Sequence, residues 1–411
     1  MTTLQSARPA RTGVGPVDPG GVSGSSLGLI TTALVVGGFA IGTTEFVTMG
    51  LLPQIAHGLG LTIPTAGHTI SAYAVGVVVG APLVAFFGSR LPRRGLALGL
   101  MGIFVAGNVA SAVATSYESL VLARFLAGLP HGAFFGASAL IVAACAPDHL
   151  KGRAISRVML GIPIANMVGV PTATWLGQEL GWRSAYWLVA GLAVLTIALV
   201  AWWVPATPGN SRASGRTELA ALRNPQLWLT LAVASVGFGG MFAMYSYIAP
   251  TVTEVTGLGQ RAVPWFLLAY GVGGIVGSLL GGRLADWSVL RGLVLSLVGV
   301  GSALALFAVT SQWAVSALAT LFLVSVLATA LVVVLQLRFM QVAGEAETLG
   351  AASNHAALNI ANALGAWLGG LVIAAGWGYQ AASWVGVALS LGGLAFLGAS
   401  LLVHRGTARA G

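Results

Sequence analysis

Twelve apolar runs dominate this chain of 411 residues, and each is long enough to cross a lipid bilayer. A helix needs roughly 20 apolar residues to span the hydrocarbon core of a membrane. Charged residues make up 7% of the chain, whereas soluble domains contain about 25%. The sequence therefore predicts an all-α membrane protein with twelve transmembrane helices. The runs cover approximately 28–52, 66–88, 95–115, 117–145, 153–177, 183–204, 227–251, 262–284, 291–310, 313–335, 348–375 and 380–403.

A duplicated segment divides the chain into two related halves. The stretch Tyr73–Arg94 begins Y-A-V-G-V-V-V-G, and the stretch Tyr270–Arg291, 197 residues later, begins Y-G-V-G-G-I-V-G. Two related six-helix bundles around a central site are typical of transporters, because such bundles can rock against each other. We therefore predict a disordered tail at 1–26, a first bundle at 27–204, a linker at 205–226, a second bundle at 227–404 and a tail at 405–411.

The basic residues indicate the orientation of the chain, whose formal net charge is +9. When the loops are numbered from an N-terminus inside the cell, outside loops contain only Arg183 and Arg261, and the inside segments contain nearly all the others. Cytoplasmic loops of membrane proteins have an excess of Lys and Arg. We expect both termini in the cytoplasm, and we interpret the positive charge as membrane anchoring rather than nucleic-acid binding.

Four motifs resemble those of the major facilitator superfamily. They are G-T-T-E-F-V-T-M-G-L-L-P at Gly42–Pro53, R-L-P-R-R at Arg90–Arg94, R-F-L-A-G-L-P-H-G at Arg124–Gly132 and G-W-R-S-A-Y-W at Gly181–Trp187. The chain is most similar to the twelve-span drug–proton antiporters, and among these to sugar-efflux permeases and actinobacterial chloramphenicol exporters. This resemblance implies proton-coupled export of small amphipathic compounds by alternating access, by a monomer in the bacterial cytoplasmic membrane.

One departure from the family keeps a second function open. The antiporter motif of the fifth span, G-P-x-x-G-G, is present only in part, as Gly169, Pro171 and a distant Gly177. A sugar or nucleoside facilitator or importer of the same fold is therefore the alternative.

The duplicated loops correspond in part to the loop motif of the resembled family, G-x-L-x-D-R-x-G-R-R. The second copy retains Gly282, Asp286 and Arg291, but has Trp287 where the family has Arg. The first copy has Ser89 in place of Asp and retains three basic residues, which are Arg90, Arg93 and Arg94. The resemblance implies that these residues control conformational change at the cytoplasmic side.

Two charged residues, Glu45 and Arg124, lie well inside the apolar runs. Counted from the outer ends of the first and fourth runs at ~1.5 Å per residue, both lie roughly 10 Å below the outer surface, a matched depth that permits pairing. A carboxylate balanced between burial and a nearby cation can bind and release protons in a working pH range. We predict proton coupling through Glu45, with a static ion pair as the alternative. In the resembled family the arginine of the R-F-L-x-G motif is linked to proton transfer, and Arg124 matches it.

His131 is a further candidate for proton coupling. It lies seven residues beyond Arg124, on roughly the same helical face, and histidine titrates near neutrality. We predict a proton relay or a substrate contact, with a packing histidine as the alternative.

Polar and aromatic residues at helical spacing are the candidates for substrate binding. Polar groups that face lipid would lack partners, so a cavity or a helix interface is expected. An aromatic stripe can stack on a lipophilic substrate or can simply pack. The candidates are His355, Asn359 and Asn362 in the eleventh run, Asn166 in the fifth, and Phe238, Phe242 and Tyr245 in the seventh.

Other function classes lack their characteristic residues. We find no G-x-x-x-x-G-K-[ST] phosphate loop, which disfavours an ATP-driven pump. Neither H-E-x-x-H nor G-x-S-x-G occurs in a convincing context, which disfavours an intramembrane enzyme. No ring of charges or carbonyl-rich filter indicates a channel. We therefore expect no enzymatic activity, cofactor or metal, and only substrate, protons and lipid as partners.

Overall fold

Helices fill the part of the chain that the structure, a computed structural model, describes: residues 24–88, 91–147, 150–206, 223–343 and 347–410. Within these ranges twelve helices are long and apolar enough to cross a membrane, which confirms the predicted number, and no strand is present. In a bilayer every backbone N–H and C=O must be bonded within the protein, and a helix achieves this within one segment. Most of the predicted tail at 1–26 and of the linker at 205–226 lies outside the described residues.

We number the membrane-crossing segments span 1 to span 12. Nine of them are single α-helices, although the helix of span 12 continues through the predicted C-terminal tail. A short helix, Leu52–Leu59, follows span 1. The nine are Gly24–Gly50 (span 1), Ile63–Gly88 (span 2), Arg93–Val113 (span 3), Arg183–Trp203 (span 6), Val263–Trp287 (span 8), Val289–Thr310 (span 9), Ala314–Ala343 (span 10), Glu347–Ala374 (span 11) and Gln380–Ala410 (span 12).

Spans 4, 5 and 7 are broken, where the apolar runs predict continuous helices. Span 4 breaks at Pro130, because proline has no backbone N–H and its ring clashes with the preceding turn. Span 5 contains a π-helical turn, a feature that is frequent at functional sites. The pieces are Tyr117–Gly128 and His131–Cys145 in span 4; Lys151–Met159, Gly161–Ile164, the π-helix Ala165–Gly169 and Val170–Leu180 in span 5; and Pro225–Gly237 and Gly239–Tyr245 in span 7, followed by Ile248–Pro250 and the π-helix Thr251–Val255.

The two halves of the chain pack with the same arrangement of spans. Span 2 lies beside span 4 and span 3 beside span 6, and in the second half span 8 lies beside span 10 and span 9 beside span 12. Two seams join the halves, one between spans 2 and 11 and the other between spans 5 and 8. These seams are related by the same pseudo-symmetry, as expected for bundles that move against each other.

Glycines of the duplicated segment make equivalent helix contacts in both halves. A Cβ atom added to any of them would overlap the backbone of the neighbouring span, so only glycine permits this approach. The repeat offset of 197 residues relates both members of each pair, and it therefore holds in three dimensions as well as in the sequence. The pairs are Gly76 with Phe125 and Gly80 with Leu129 in the first half, and Gly273 with Phe322 and Gly277 with Val326 in the second.

Polar contacts join the halves at the face opposite the termini, which we call the far face. Gln54 Nε2 donates to Gln260 Oε1 at 3.0 Å, and Gln178 Nε2 donates to the Gln260 carbonyl at 2.9 Å. Arg261 Nε lies 3.3 Å from Glu179 Oε1. Gln260 and Arg261, just before span 8, thus bind residues of the first half and connect the two halves at the far face.

Exposed tryptophans mark the two membrane surfaces. Tryptophan is enriched at membrane–water interfaces, because its ring is apolar and its N–H needs a polar partner. Near the far face these residues are Trp175, Trp187, Trp265, Trp313, Trp367, Trp377 and Trp384, and near the face of the termini they are Trp202, Trp228 and Trp287.

Candidate functional site

Arg124 is fully buried in span 4 and makes its polar contacts with span 1. Its Nη1 donates to Thr44 Oγ1 at 3.0 Å, and its Nη2 donates to the Thr44 carbonyl at 2.9 Å. The guanidinium carbon lies 4.5 Å from the ring centroid of Tyr73 and 5.4 Å from that of Tyr186. Cation–π contacts of this kind are strengthened when the cation is desolvated. The positive charge is therefore fixed between spans 1, 2 and 6.

Glu45, the residue after Thr44, is buried in span 1 with 6% of its surface exposed. Arg124 binds the neighbouring Thr44 and forms no ion pair with Glu45, although the matched depth permits one. His131 Nδ1 lies 3.9 Å from Glu45 Oε2, which is too long for a hydrogen bond. Within the described residues, no group donates a hydrogen bond to the Glu45 carboxylate, so a proton can bind there without displacing a donor.

His131 connects the acid to the rest of the interior. Its Nδ1 lies 3.0 Å from the Tyr73 hydroxyl, and it is 1% exposed. Its ring centroid lies 5.5 Å from that of Phe135, which stacks on His355 of span 11 at 6.3 Å. Arg124 and His131 thus contact the same tyrosine, and His131 also faces the second half.

In the described part of the second half, the positions equivalent to Arg124 and His131 carry no charged side chain. The repeat offset that relates the glycine contacts places Leu321 and Ala328 at the positions of Arg124 and His131. Both are buried apolar residues. Neither of the two cluster residues of span 4 therefore has an ionisable equivalent in the second half.

The aromatic stripe of span 7 lies at the interface between the halves. Phe238, Phe242 and Tyr245 are all buried. Phe46 of span 1, which directly follows the buried acid, lies 6.3 Å from Phe242 and 6.1 Å from Tyr245 between ring centroids. Tyr245 stacks on Tyr270 of span 8 at 4.0 Å. The stripe therefore packs against both halves in this conformation, beside the acid of span 1.

Buried amides supply unused hydrogen-bonding capacity. Asn362 is fully buried, and neither its Oδ1 nor its Nδ2 has a partner among the described residues. Asn359 donates to the His355 carbonyl at 2.9 Å, but its Oδ1 has no such partner. The Oδ1 of Asn166, in the π-helix of span 5, is likewise unbonded, and its backbone lies against Gly271 of span 8. An unpartnered buried polar group costs about 1–3 kcal/mol. A ligand that forms hydrogen bonds with these amides would recover this free energy.

The first duplicated loop is bonded to helix ends, although its Arg90 lies outside the described residues. Arg93 Nη1 donates to the Leu140 carbonyl of span 4 at 3.2 Å. Arg94 Nη2 donates to the Ala201 carbonyl of span 6. Arginines near helix C-termini also interact favourably with the helix dipole. These contacts tie the loop to spans 4 and 6 of its own half.

In the second duplicated loop, Trp287 contacts an arginine. The guanidinium of Arg291 lies 5.1 Å from the Trp287 ring centroid, so the residue that replaces the family's Arg binds the Arg that remains. Asp286 is exposed, and its carboxylate makes no hydrogen bond or ion pair within the described ranges. Gly282 has open space around it.

Sequence reasoning assigned no role to four residues that hold the charged cluster together. The sequence marks Tyr73 only as the first residue of the duplicated segment, although Tyr73 contacts both Arg124 and His131. A signal was present for Asn108, because an amide in the middle of an apolar run needs a partner inside the protein. The four are Thr44, Tyr73, Asn108 and Tyr186.

Comparisons with known proteins give consistent matches across most of the chain. The family model described as Major Facilitator Superfamily matches residues 34–354. The chain is 42% identical to the inner membrane transport protein YdhP of Escherichia coli (strain K12), over 85% of this chain and 90% of that protein. It is 37% identical to a chloramphenicol resistance protein of Streptomyces lividans, over 62% of this chain and 66% of that protein.

Among solved structures, the fold is similar to the crystal structure of a D-xylose-proton symporter. The TM-score is 0.71, and the similarity covers 90% of this chain and 97% of that one. At 18% sequence identity this likeness concerns the fold alone.

Proposed function

Because the chain belongs to the major facilitator superfamily, we propose that it is a proton-coupled exporter of small amphipathic compounds that works by alternating access. It is a transport protein rather than an enzyme, and a multi-pass protein of the bacterial inner membrane. The observation that most supports proton coupling is the buried cluster of Glu45, Tyr73, Arg124 and His131.

Each member of the cluster has a role in this proposal. Glu45 binds and releases the transported proton, because it is a buried acid that forms no hydrogen bond with the described residues. Arg124 is a fixed positive charge that favours return of Glu45 to its ionised form. His131 exchanges protons with Glu45, since its Nδ1 lies 3.9 Å from Glu45 Oε2 and 3.0 Å from the hydroxyl of Tyr73.

The substrate site of the proposal lies where the halves meet, beside the charged cluster. Aromatic rings bind the apolar part of the substrate, and the unpartnered amides bind its polar groups. The chloramphenicol resistance protein among the relatives suggests chloramphenicol as the first compound to test. The residues are Asn166, Phe238, Phe242, Tyr245, His355, Asn359 and Asn362.

Alternating access follows from the two symmetric seams in this proposal. We place the termini in the cytoplasm, because the loops on their side hold most of the basic residues, and the far face is then the outer face. The contacts of Gln54, Gln178 and Gln260 close this outer face in the present conformation and must break when it opens. The loop residues Arg93, Arg94 and Arg291 act at the opposite side.

Transport by the purified protein in proteoliposomes tests this function. One proton moving through ~100 mV releases about 2.3 kcal/mol, which sustains a roughly 40-fold concentration gradient. We expect an imposed proton gradient to drive chloramphenicol accumulation toward this limit. An uncoupler should remove the accumulation, as measured with radiolabelled chloramphenicol.

The same assay separates the exporter from a sugar or nucleoside facilitator of the same fold. A facilitator would equilibrate a sugar or nucleoside across the membrane with or without a pH gradient, and would not accumulate it. Equilibration of this kind, together with no response of chloramphenicol to the gradient, would contradict the exporter proposal.

Replacement of Asn362 by leucine tests the substrate site. The side chains have similar shapes, so Asn362→Leu removes the unpartnered amide with little change in packing. We expect the KM for chloramphenicol to rise about tenfold, which corresponds to the ~1.4 kcal/mol of one or two lost hydrogen bonds. Thermal stability should be unchanged or higher, because the leucine has no unbonded polar group.

Asn354→Leu is the control, because Asn354 is buried in the same span and its Nδ2 donates to Gln336 Oε1 at 2.7 Å, whereas Asn362 makes no such bond; the Oδ1 of Asn354 has no partner among the described residues. This change should lower the melting temperature and leave KM unchanged. An Asn362→Leu protein with the KM of the original would remove Asn362 from the substrate site.

A further inference from the structure

We infer that Thr44 and Asn108 are positioning residues that hold the Arg124 guanidinium off the Glu45 carboxylate, so that Glu45 changes protonation without making or breaking an ion pair. The inference rests on the proposed role of Glu45 in proton coupling and adds two residues to it.

A directed chain of hydrogen bonds joins spans 3, 1 and 4. Asn108 Nδ2 donates to the Phe104 carbonyl of its own helix at 2.9 Å, which fixes the orientation of its amide. Thr44 Oγ1 donates to Asn108 Oδ1 at 2.6 Å. Arg124 Nη1 donates to Thr44 Oγ1 at 3.0 Å, and Nη2 donates to the Thr44 carbonyl at 2.9 Å. The three side chains that these hydrogen bonds connect, Asn108, Thr44 and Arg124, are fully buried.

The direction of each bond follows from the chemistry of the groups. A threonine hydroxyl has one proton, and a guanidinium has only donors. Because Thr44 gives its proton to Asn108, its oxygen lone pairs point to Arg124. The Asn108 amide therefore orients the Thr44 hydroxyl so that its oxygen accepts from Arg124. The hydroxyl and carbonyl oxygens of Thr44, both neutral, bind the two terminal nitrogens of Arg124.

The choice of neutral partners is informative, because a carboxylate is one residue away. Arginine commonly pairs with a carboxylate through two parallel bonds, and Glu45 directly follows Thr44 in span 1. The guanidinium carbon also lies over the rings of Tyr73 and Tyr186. Arg124 is thus held by hydrogen bonds to Thr44 and by contacts with two tyrosine rings, without an ion pair.

Several other ionisable groups face this part of span 1, and they must be considered when the titration of Glu45 is interpreted. His131 is the nearest of them to the carboxylate, at 3.9 Å. The Arg124 guanidinium carbon lies 4.5 Å from the centre of the Tyr73 ring, and Tyr270 stacks on Tyr245 at 4.0 Å. The groups are Tyr73 of span 2, Arg124 and His131 of span 4, Tyr186 of span 6, Tyr245 of span 7 and Tyr270 of span 8.

Loss of the positioning bonds should redirect the guanidinium. Arg124 Nε already has no partner among the described residues. If Thr44 no longer accepts, Nη1 becomes a second buried donor without a partner, and the adjacent carboxylate is the strongest acceptor nearby. A cation brought to within 4–6 Å of a carboxylate favours its ionised form by about 1–3 pH units. Glu45 would then hold its proton only at lower pH.

The test measures protonation of Glu45 directly. Dicyclohexylcarbodiimide modifies protonated carboxylic acids in apolar surroundings, and mass spectrometry of the peptide that contains Glu45 gives the labelled fraction at each pH. The full-length protein is labelled in detergent as the original sequence, Thr44→Val, Thr44→Ser and Asn108→Leu, with Glu45→Gln as the unlabelled reference. Size-exclusion chromatography establishes that each variant is folded.

We expect Thr44→Val to move the labelling midpoint to lower pH by about one unit or more. Asn108→Leu should move it in the same direction by a smaller amount, because the hydroxyl of Thr44 remains. Thr44→Ser keeps the hydroxyl and should titrate like the original protein, which a general loosening of the packing would not explain.

Two results would overturn the inference. One is an unchanged midpoint in folded Thr44→Val or, where that variant does not fold, in folded Asn108→Leu. The other is labelling of the original protein that does not depend on pH. Because labelling needs no transport, a shifted midpoint in a protein whose transport ignores the proton gradient would refute the exporter proposal and leave the positioning role intact.

Discussion

Glu45→Gln is expected to abolish proton-driven transport while the protein stays folded. Glutamine has the shape of a protonated glutamate but cannot release a proton. No described residue donates a hydrogen bond to the Glu45 carboxylate, so the substitution leaves no donor without its acceptor. A roughly 40-fold substrate accumulation should therefore fall to about onefold, which is simple equilibration.

Two measurements on reconstituted protein separate coupling from general damage. Accumulation of chloramphenicol under a proton gradient reports coupling, and exchange of labelled for unlabelled chloramphenicol reports binding and rocking alone. We expect Glu45→Gln to lose accumulation and to retain exchange. Glu118→Gln removes an exposed carboxylate at the start of span 4 and should behave like the original protein. Unchanged accumulation by well-expressed Glu45→Gln would remove the acid from the mechanism.

Gly80→Leu is expected to prevent correct assembly of the first half. A Cβ at this position would lie 2.6 Å from the carbonyl carbon and 2.7 Å from the Cα of Leu129, and neither backbone atom can rotate away. Overpacking typically costs 1–3 kcal/mol, and a leucine against rigid backbone should cost about 3 kcal/mol or more. The measurement is the fraction of protein that elutes as a single species in detergent, together with its melting temperature.

Two further glycines make this prediction specific. Gly136 is also in a membrane-crossing helix of the first half, but nothing lies within 4 Å of a Cβ added there. Gly136→Leu should therefore assemble normally. Gly277→Leu should fail like Gly80→Leu, because Gly277 makes the equivalent contact with Val326. Normal assembly of Gly80→Leu would show that spans 2 and 4 do not approach as closely as the structure indicates.

The sequence predicted the helices well because the bilayer leaves few alternatives. Backbone groups in lipid must be bonded internally, so apolar length alone identifies a spanning helix. It predicted the breaks in spans 4, 5 and 7 poorly. The runs remain apolar through Pro130 and through the π-helix Ala165–Gly169, and hydropathy does not record whether a helix continues.

The candidate site was predicted as residues but not as contacts. Counting from the outer ends of the runs placed Glu45 and Arg124 at one depth, and the structure places Arg124 on Thr44, the residue before the acid. The rotation of each helix selects Thr44 over Glu45 as the partner, and span 3 adds Asn108, which is distant in the sequence. Side-chain pairing across three spans depends on packing angles that one-dimensional spacing does not contain.

By itself, the sequence determined the number of spans, the duplication, the family resemblance and the presence of an acid and a guanidinium in an apolar interior. Those properties follow from composition and period, because burial in lipid imposes the same requirement on every span. The tertiary structure alone decided that the guanidinium is bound by neutral oxygens, that His131 faces the acid, and that the amide of Asn362 has no partner in the described chain. Those outcomes depend on how twelve helices are rotated and packed, since a hydrogen bond is lost within a few tenths of an ångström.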